Sequence, residues 1–152
     1  MLSADVFVTA TLKLPCRILL VGADEGIKAK LPSRVITLPR TADRAELAAL
    51  YSAADLFVNP TREDTFPTVN LEALACGTPV LTFRACGSPE CADDASGATV
   101  KTDDIDAFER EVRRICEEAP YTKEACLARA SQFDKYARYR EYVALYEEVA
   151  GK

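Results

Sequence analysis

Five short apolar runs recur along the chain, most of them closed by a helix breaker. They read RILLVG at 17–22, RVITLP at 34–39, DLFVNP at 55–60, PVLTF at 79–83 and, shorter, GATV at 97–100. Runs without polar alternation suit strands covered on both faces, as in a buried parallel sheet. Elsewhere the spacing turns helical. Asp43 and Glu46, three apart, form a capping box before LAALYSAA. Asp103 or Asp104 caps IDAFEREVRRICEEA, and two further helices follow Pro120, TKEACLARASQF and DKYARYREYVALYEEVA. The last places Tyr139, Val143 and Tyr146 along one face, a stripe read as core packing. A further helix starts near Pro67, whose fixed φ suits a first turn, and ends near Cys76, with Gly77 as a left-handed stop and Pro79 beyond. The first dozen residues are rich in β-branched side chains, yet Val6, Thr9, Ala10 and Lys13 follow helical spacing, and a helix is expected.

Strand–helix alternation predicts an α/β fold, a Rossmann-like parallel sheet with helices on both faces. Ligands of such sheets gather at the carboxyl ends of the strands. No linker, repeat or long charge run divides the sequence. Residues 1–152 therefore read as one domain, with a C-terminal helix at about 134–150.

Composition narrows the function classes. Hydrophobic residues make up 49% of the 152, enough for a real core. A formal net charge of -5 argues against a nucleic-acid partner, which calls for a basic face. No apolar run reaches the roughly 18 residues that span a bilayer. The N-terminus lacks the basic region and cleavage site of a signal peptide. Six cysteines occur without a C-x-x-C pair and there is no histidine. A metal site is not expected, and the thiols read as small hydrophobes in a reducing compartment. The missing histidine also removes Ser–His–Asp and Cys–His nucleophile chemistry.

One segment carries an odd arrangement of charge. Asp64 and Glu72 bracket seven uncharged residues, and from 65 to 83 Glu72 is the only carboxylate or cation. NPTREDTF forms the loop leaving the carboxyl end of the DLFV strand. The helix that follows aims its unpaired N–H groups at the ligand edge, a ready anion site. Glu72 lies one turn inside, among Val69, Leu71, Ala73, Leu74 and Ala75, where a carboxylate is costly unless it meets donors. Ionised carboxylates are acceptors that grip paired hydroxyls. Ribose at one acid, a sugar at the other and a diphosphate between them describe a nucleotide-sugar. Two plainer readings stand beside it. An acid in a first helical turn is favoured by the helix dipole, and Asp64 also suits a turn.

The stretch LYSAADLFVNPTREDTFPTVNLEALACGTPVLTF, followed by GSPE, resembles the C-terminal domain of bacterial family 4 glycosyltransferases of the capsular, colanic-acid and exopolysaccharide type. That family carries two acids separated by seven residues, then Glu-Ala, a small residue, Gly, any residue and Pro-Val. Asp64 and Glu72 take the acid positions, and the likeness runs from about Ala4 to Tyr146. It implies the donor-binding half of a two-domain GT-B enzyme that is metal-independent and retains anomeric configuration. Asp64 would contact the transferred sugar and Glu72 the ribose. Glu63, Thr65, Phe66, Pro67, Thr68 and Val69 would line the sugar and diphosphate, with Arg40 and Thr41 by the nucleobase. The donor would be UDP- or GDP-linked, with no separate cofactor. The acceptor, a lipid-linked or oligosaccharide chain, would bind an N-terminal domain absent here. The implied location is the cytoplasm, at the inner membrane face where cell-surface polysaccharide grows.

The sequence departs from that pattern in two places. Relatives open this domain with a strand and a Lys-Gly pair that grips the diphosphate. Where the pair is expected, Leu2 and Ser3 stand, so the first strand is read as missing. A homodimer filling that gap is one expectation; a truncated, inert nucleotide-binding or assembly module is the alternative function. After PVLTF, Cys86 replaces the first of two glycines, and cysteine is a poor match for a left-handed backbone. Glu90 is read as capping its loop or touching ligand, and Arg84 as a solvated surface cation or, less favoured, a replacement for some of the lost positive charge near the phosphate.

Overall fold

The computed structural model describes residues 16–151, so the expected N-terminal helix and the Lys-Gly position lie outside the described residues. Every apolar run becomes a strand: β1 Ile18–Val21, β2 Val35–Leu38, β3 Phe57–Asn59, β4 Val80–Phe83 and β5 Gly97–Val100. The helices are α1 Glu25–Lys28, α2 Arg44–Ala53, α3 Thr68–Ala75, α4 Ile105–Glu118, α5 Lys123–Ser131 and α6 Lys135–Val149. The single turn of α1 follows Asp24, whose carboxylate accepts the Ile27 N–H; no sequence expectation covered it.

Local chemistry explains most helix starts. Asp43 accepts from Glu46 N–H at 2.8 Å, and the Glu46 carboxylate reaches back to Ala42 N–H at 3.0 Å. Of the two candidate caps for α4, Asp104 does the work, accepting from Ala107 N–H at 2.9 Å. Thr122 and Asp134 cap α5 and α6 in the same way. Gly77 ends α3 at φ 82, as its place beyond the last turn requires.

All pairings are parallel, but the strands form two sheets among the described residues, β1–β2 and β3–β4–β5. β1 and β3 are not hydrogen-bonded to each other. In the three-stranded sheet, β4 is central and wholly buried. Leu81 and Phe83 face Phe108, Val112 and Ile115, which recur at helical spacing on α4. Val80 faces the other way, against Ala73 and Leu74 of α3 and Cys126 of α5. Helices thus cover both faces, as expected. The two-stranded sheet differs. Leu19 and Ile36, paired in register, remain 42% and 49% exposed, so these apolar runs are not doubly covered.

A second expectation fails at the C-terminus. Tyr139, Val143 and Tyr146 are 61%, 55% and 71% exposed rather than packed in the core. The stripe forms as its spacing predicts, but nothing in the described residues lies over it.

The core carries an alkaline limit. Burial pushes the Cys91 and Cys126 thiols up to about 11 from 9.0, and the Tyr51 phenol up to about 12 from 10.0. Each is held protonated by the fold and ionises more readily in the unfolded chain. Their contribution is complete below about pH 9 and is lost as pH rises through about 11–12. The urea midpoint is therefore expected to fall between about pH 8 and pH 11. A flat midpoint would show these groups to be solvated in the native state.

Candidate functional site

Two loops meet at the carboxyl ends of β3 and β4. One runs through residues 60–67; the other, 84–91, contains the 3-10 turn Ser88–Glu90. Gly87 N–H donates to the Asp64 carbonyl at 3.3 Å. A Cβ on Gly87 would fall 1.8 Å from the Thr65 carbonyl oxygen, so glycine is what lets the loops touch. Its φ of -85 is ordinary; space, not torsion, demands it. The left-handed residue is Cys86, at φ 47 and exposed. Cysteine thus takes the conformation it was expected to refuse, held there by the loop contact beside it.

The helix α3 starts where the loops meet. Pro67 is its N-cap, and no side chain caps it. The first-turn amides of the exposed Thr68 and Val69 are left for an incoming acceptor. Beneath them lies a buried polar layer that sequence reasoning missed. Asn59 donates through Nδ2 to Asn70 Oδ1 at 2.9 Å, and Thr82 Oγ1 donates to the Asn59 carbonyl at 2.8 Å. Asn70 Nδ2 is left without an oxygen partner, as is Ser88 Oγ. The neighbouring Cys91 thiol is pushed up by burial, against the opposing pull of the Asn70 amide. A polar residue on the inner face of an apolar helix is the signal that could have found this layer.

The two acids sit differently from each other. Asp64 is half-buried, and its Oδ1 accepts the Phe66 N–H at 3.0 Å, so it does shape the turn. Its Oδ2 has no hydrogen bond among the described residues. Glu72 is exposed, contrary to its expected burial. The buried positions of α3 are Asn70, Ala73 and Leu74, and Glu72 falls on the opposite side of the wheel. Its Oε2 accepts from Tyr51 Oη across a long 3.4 Å. Burial raises the Tyr51 pKa first, and the Glu72 charge and hydrogen bond add to it. Tyr51 packs edge-on to Phe57, ring centroids 5.2 Å apart, which anchors α2 beside Glu72.

The other expected residues divide into two groups. Thr65, Phe66, Pro67, Thr68 and Val69 form the loop and first turn around the α3 terminus. Glu63 is exposed, and its carbonyl accepts from Thr61 Oγ1 at 3.3 Å. Arg40 and Thr41 follow β2 in the other sheet; no hydrogen bond or ion pair joins them to Asp64 or Glu72 among the described residues. Arg84 is exposed and Arg62 is paired with Asp103 at 2.7 Å. The Glu90 side chain is exposed, while its carbonyl accepts from Arg129 at 2.6 Å. Arg129 also donates to the Cys91 carbonyl at 3.2 Å and lies over the Phe133 ring at 4.8 Å. Phe133 in turn touches Phe66, centroids 5.6 Å apart. Arg129 and Phe133 thereby brace both loops, a role that only the tertiary structure reveals.

Residues 3–118 match the family model described as glycosyl transferases group 1. The chain belongs to this family. Among curated relatives of this group 1 chain, the D-inositol 3-phosphate glycosyltransferase of Mycolicibacterium smegmatis is 34% identical over 144 residues, covering 84% of the chain and 32% of the relative. The enzyme of that name from Salinispora tropica is 40% identical over 95 residues, 62% of the chain and 19% of the relative. The chain thus spans about a third or less of the curated relatives it matches. Among solved structures, sucrose-phosphate synthase from Thermosynechococcus elongatus superposes with a TM-score of 0.83 at 25% identity, covering 99% of this chain and 43% of that one. Anabaena HepE in complex with UDP gives 0.78 at 22% identity, over 99% and 46%, and shows the fold alone. The α/β architecture with parallel sheets and flanking helices is that of GT-B glycosyltransferases.

Proposed function

We propose that this group 1 chain is the donor half of a retaining glycosyltransferase and binds a nucleoside-diphosphate sugar at the α3 terminus. The observation that carries the reading is an uncapped helix start at the carboxyl edge of the sheet, flanked by Asp64 on its loop and Glu72 one turn in. The amides of Thr68 and Val69 supply dipoles to the diphosphate. Glu72, exposed and steadied by Tyr51, offers acceptor oxygens to ribose hydroxyls. Asp64 keeps Oδ1 on the turn and presents Oδ2 to the transferred sugar. Arg40 and Thr41 lie by the base. Charge that develops on the leaving diphosphate is met by fixed dipoles, which need no reorganisation during transfer.

HepE was solved with UDP and with UDP-glucose, which makes a UDP-linked donor the first to test beside a GDP-linked one. The acceptor read from the sequence is a growing polysaccharide or glycolipid. The names of the curated relatives favour a phosphorylated polyol instead. Either would bind the part of such enzymes that lies beyond this chain's matched length. No helix among the described residues is long and apolar enough to cross a membrane. The family resemblance of the sequence, not that absence, is what supports work at the cytoplasmic membrane face.

Calorimetry with UDP, GDP and UDP-glucose tests the reading. UDP and its sugar are expected to bind, and Glu72→Gln to weaken them about tenfold, the value of a charge-assisted hydrogen-bond pair. Because Glu72 is exposed, this variant keeps its fold. Unaltered UDP affinity in Glu72→Gln would remove the ribose role.

A further inference from the structure

Cys91 lies beneath the α3 terminus with no exposed surface, and each of its polar groups is engaged. Its N–H donates to the Ser88 carbonyl at 3.3 Å, and its carbonyl accepts from Arg129 Nε at 3.2 Å. With the main chain held on both sides, the sulfur is delivered to one place: Sγ donates to the Pro67 carbonyl across 3.7 Å. The sulfur also faces the Asn70 amide, which is itself fixed because Asn70 Oδ1 accepts from Asn59 Nδ2 at 2.9 Å. Burial pushes the thiol up to about 11, against the smaller pull of that amide. The sulfur therefore keeps its proton, and can donate, at neutral pH.

What the thiol holds is a peptide plane. Pro67 is buried, and its ring locks φ, here -72, so ψ is its one soft torsion. The 67–68 peptide is trans, and its C=O and N–H point in opposite directions. The carbonyl is turned inward, where it accepts from Asn70 N–H at 3.0 Å as well as from Cys91. The first bond ties the carbonyl to its own helix; the second ties it to the 84–91 loop. The Thr68 N–H is turned outward on an exposed residue, and no acceptor among the described residues takes it. Turning ψ of Pro67 would swing both groups together.

We propose that Cys91 is a positioning residue for diphosphate binding: by holding the Pro67 carbonyl inward, its thiol fixes the plane of the 67–68 peptide and aims the Thr68 N–H at the phosphates. The inference rests on the reading of the α3 terminus as a nucleoside-diphosphate site. Cys91 touches no ligand in this scheme and acts only through Pro67. A dipole aimed beforehand needs no reorganisation when the anion arrives. A thiol is a weak donor, so the effect is modest.

The whole chain is compared with Cys91→Val, which fills the space without a donor, and Cys91→Ser, which keeps one. Cys91→Val is expected to weaken UDP about fivefold, the value of one ordinary hydrogen bond. Cys91→Ser is expected to stay within about twofold of the wild type. Uridine carries no phosphate, and its affinity, followed by NMR shift titration, is expected to be the same in all three. Equal losses of UDP in the valine and serine variants overturn the proposal, since packing alone would then account for them. So does a valine variant that loses uridine as much as UDP. An infrared measurement needs neither the valine variant nor a ligand. The S–H stretch of Cys91, isolated as wild type minus Cys91→Ser, is expected at the lowered frequency of a hydrogen-bonded thiol. A free-thiol band in a chain that binds UDP removes the role of Cys91 and leaves the nucleotide site standing. A lowered band in a wild-type chain that binds no UDP removes the nucleotide site, and the aiming role with it.

Discussion

Replacing Phe83 with alanine is expected to cost about 3–5 kcal/mol, since it heads the largest fully buried side chains among the described residues. Phe83 has no exposed surface and ends the central strand β4. Its ring meets Phe108 edge-on, centroids 5.4 Å apart and planes at 72°, and shares a cluster with Leu81, Val112 and Ile115. Removing it opens a cavity between sheet and helix that rigid neighbours on both sides cannot close. A domain of this size holds about 5–15 kcal/mol in total, so about a fifth or more is at stake. Leu19→Ala is the contrasting case. Its side chain is 42% exposed on the thinly covered sheet, and a loss below about 1 kcal/mol is expected. Urea midpoints for the two variants make the comparison. Equal losses would mean that β4 is not the centre of the core.

What made β4 legible also marks where legibility stops. The run PVLTF needs no partner to be recognised as a buried strand, and caps such as Asp43 and Asp104 act within three residues of themselves. Such signals survive reading one residue at a time. The break between β1 and β3 does not, because pairing joins residues far apart in sequence and apolar runs look alike on either side of it. Leu19 and Ile36 have the composition of covered positions and lack the cover.

The site shows the same division. Placing Asp64 and Glu72 on one loop and helix required only the turn residues around them. The exposure of Glu72 was within reach of the sequence: Asn70, Ala73 and Leu74 mark the inner face, and Glu72 lies off it. Tyr51 and Arg129 were out of reach, since each acts through a contact spanning more than twenty residues. The stripe on α6 was read as core packing and is exposed among the described residues; periodicity tells which face is apolar, not what covers it.

Gly87→Ala is expected to lower UDP affinity about a hundredfold while leaving the protein folded. The added Cβ would meet the Thr65 carbonyl oxygen at 1.8 Å and its carbon at 2.9 Å. Both are backbone atoms, so no rotamer relieves the clash; one loop must retreat by about 1 Å or more to regain contact distance. Retreat breaks the Gly87 N–H bond to the Asp64 carbonyl and moves the segment that presents Asp64 and the Thr68 and Val69 amides. Misplacement of about 1 Å in a preorganised site costs about 10²-fold. Overpacking of this kind costs about 1–3 kcal/mol in stability, which the core tolerates. Gly22→Ala separates torsion from space. Gly22 has φ 75, yet its added Cβ meets nothing within 4 Å, so a loss of about 1 kcal/mol with intact UDP binding is expected. If Gly87→Ala binds UDP as tightly as Gly22→Ala does, the 84–91 loop does not set the geometry of the nucleotide site. If it loses binding and keeps its urea midpoint within the stated range, the contact between the two loops, rather than either acid alone, holds the α3 terminus ready for a diphosphate.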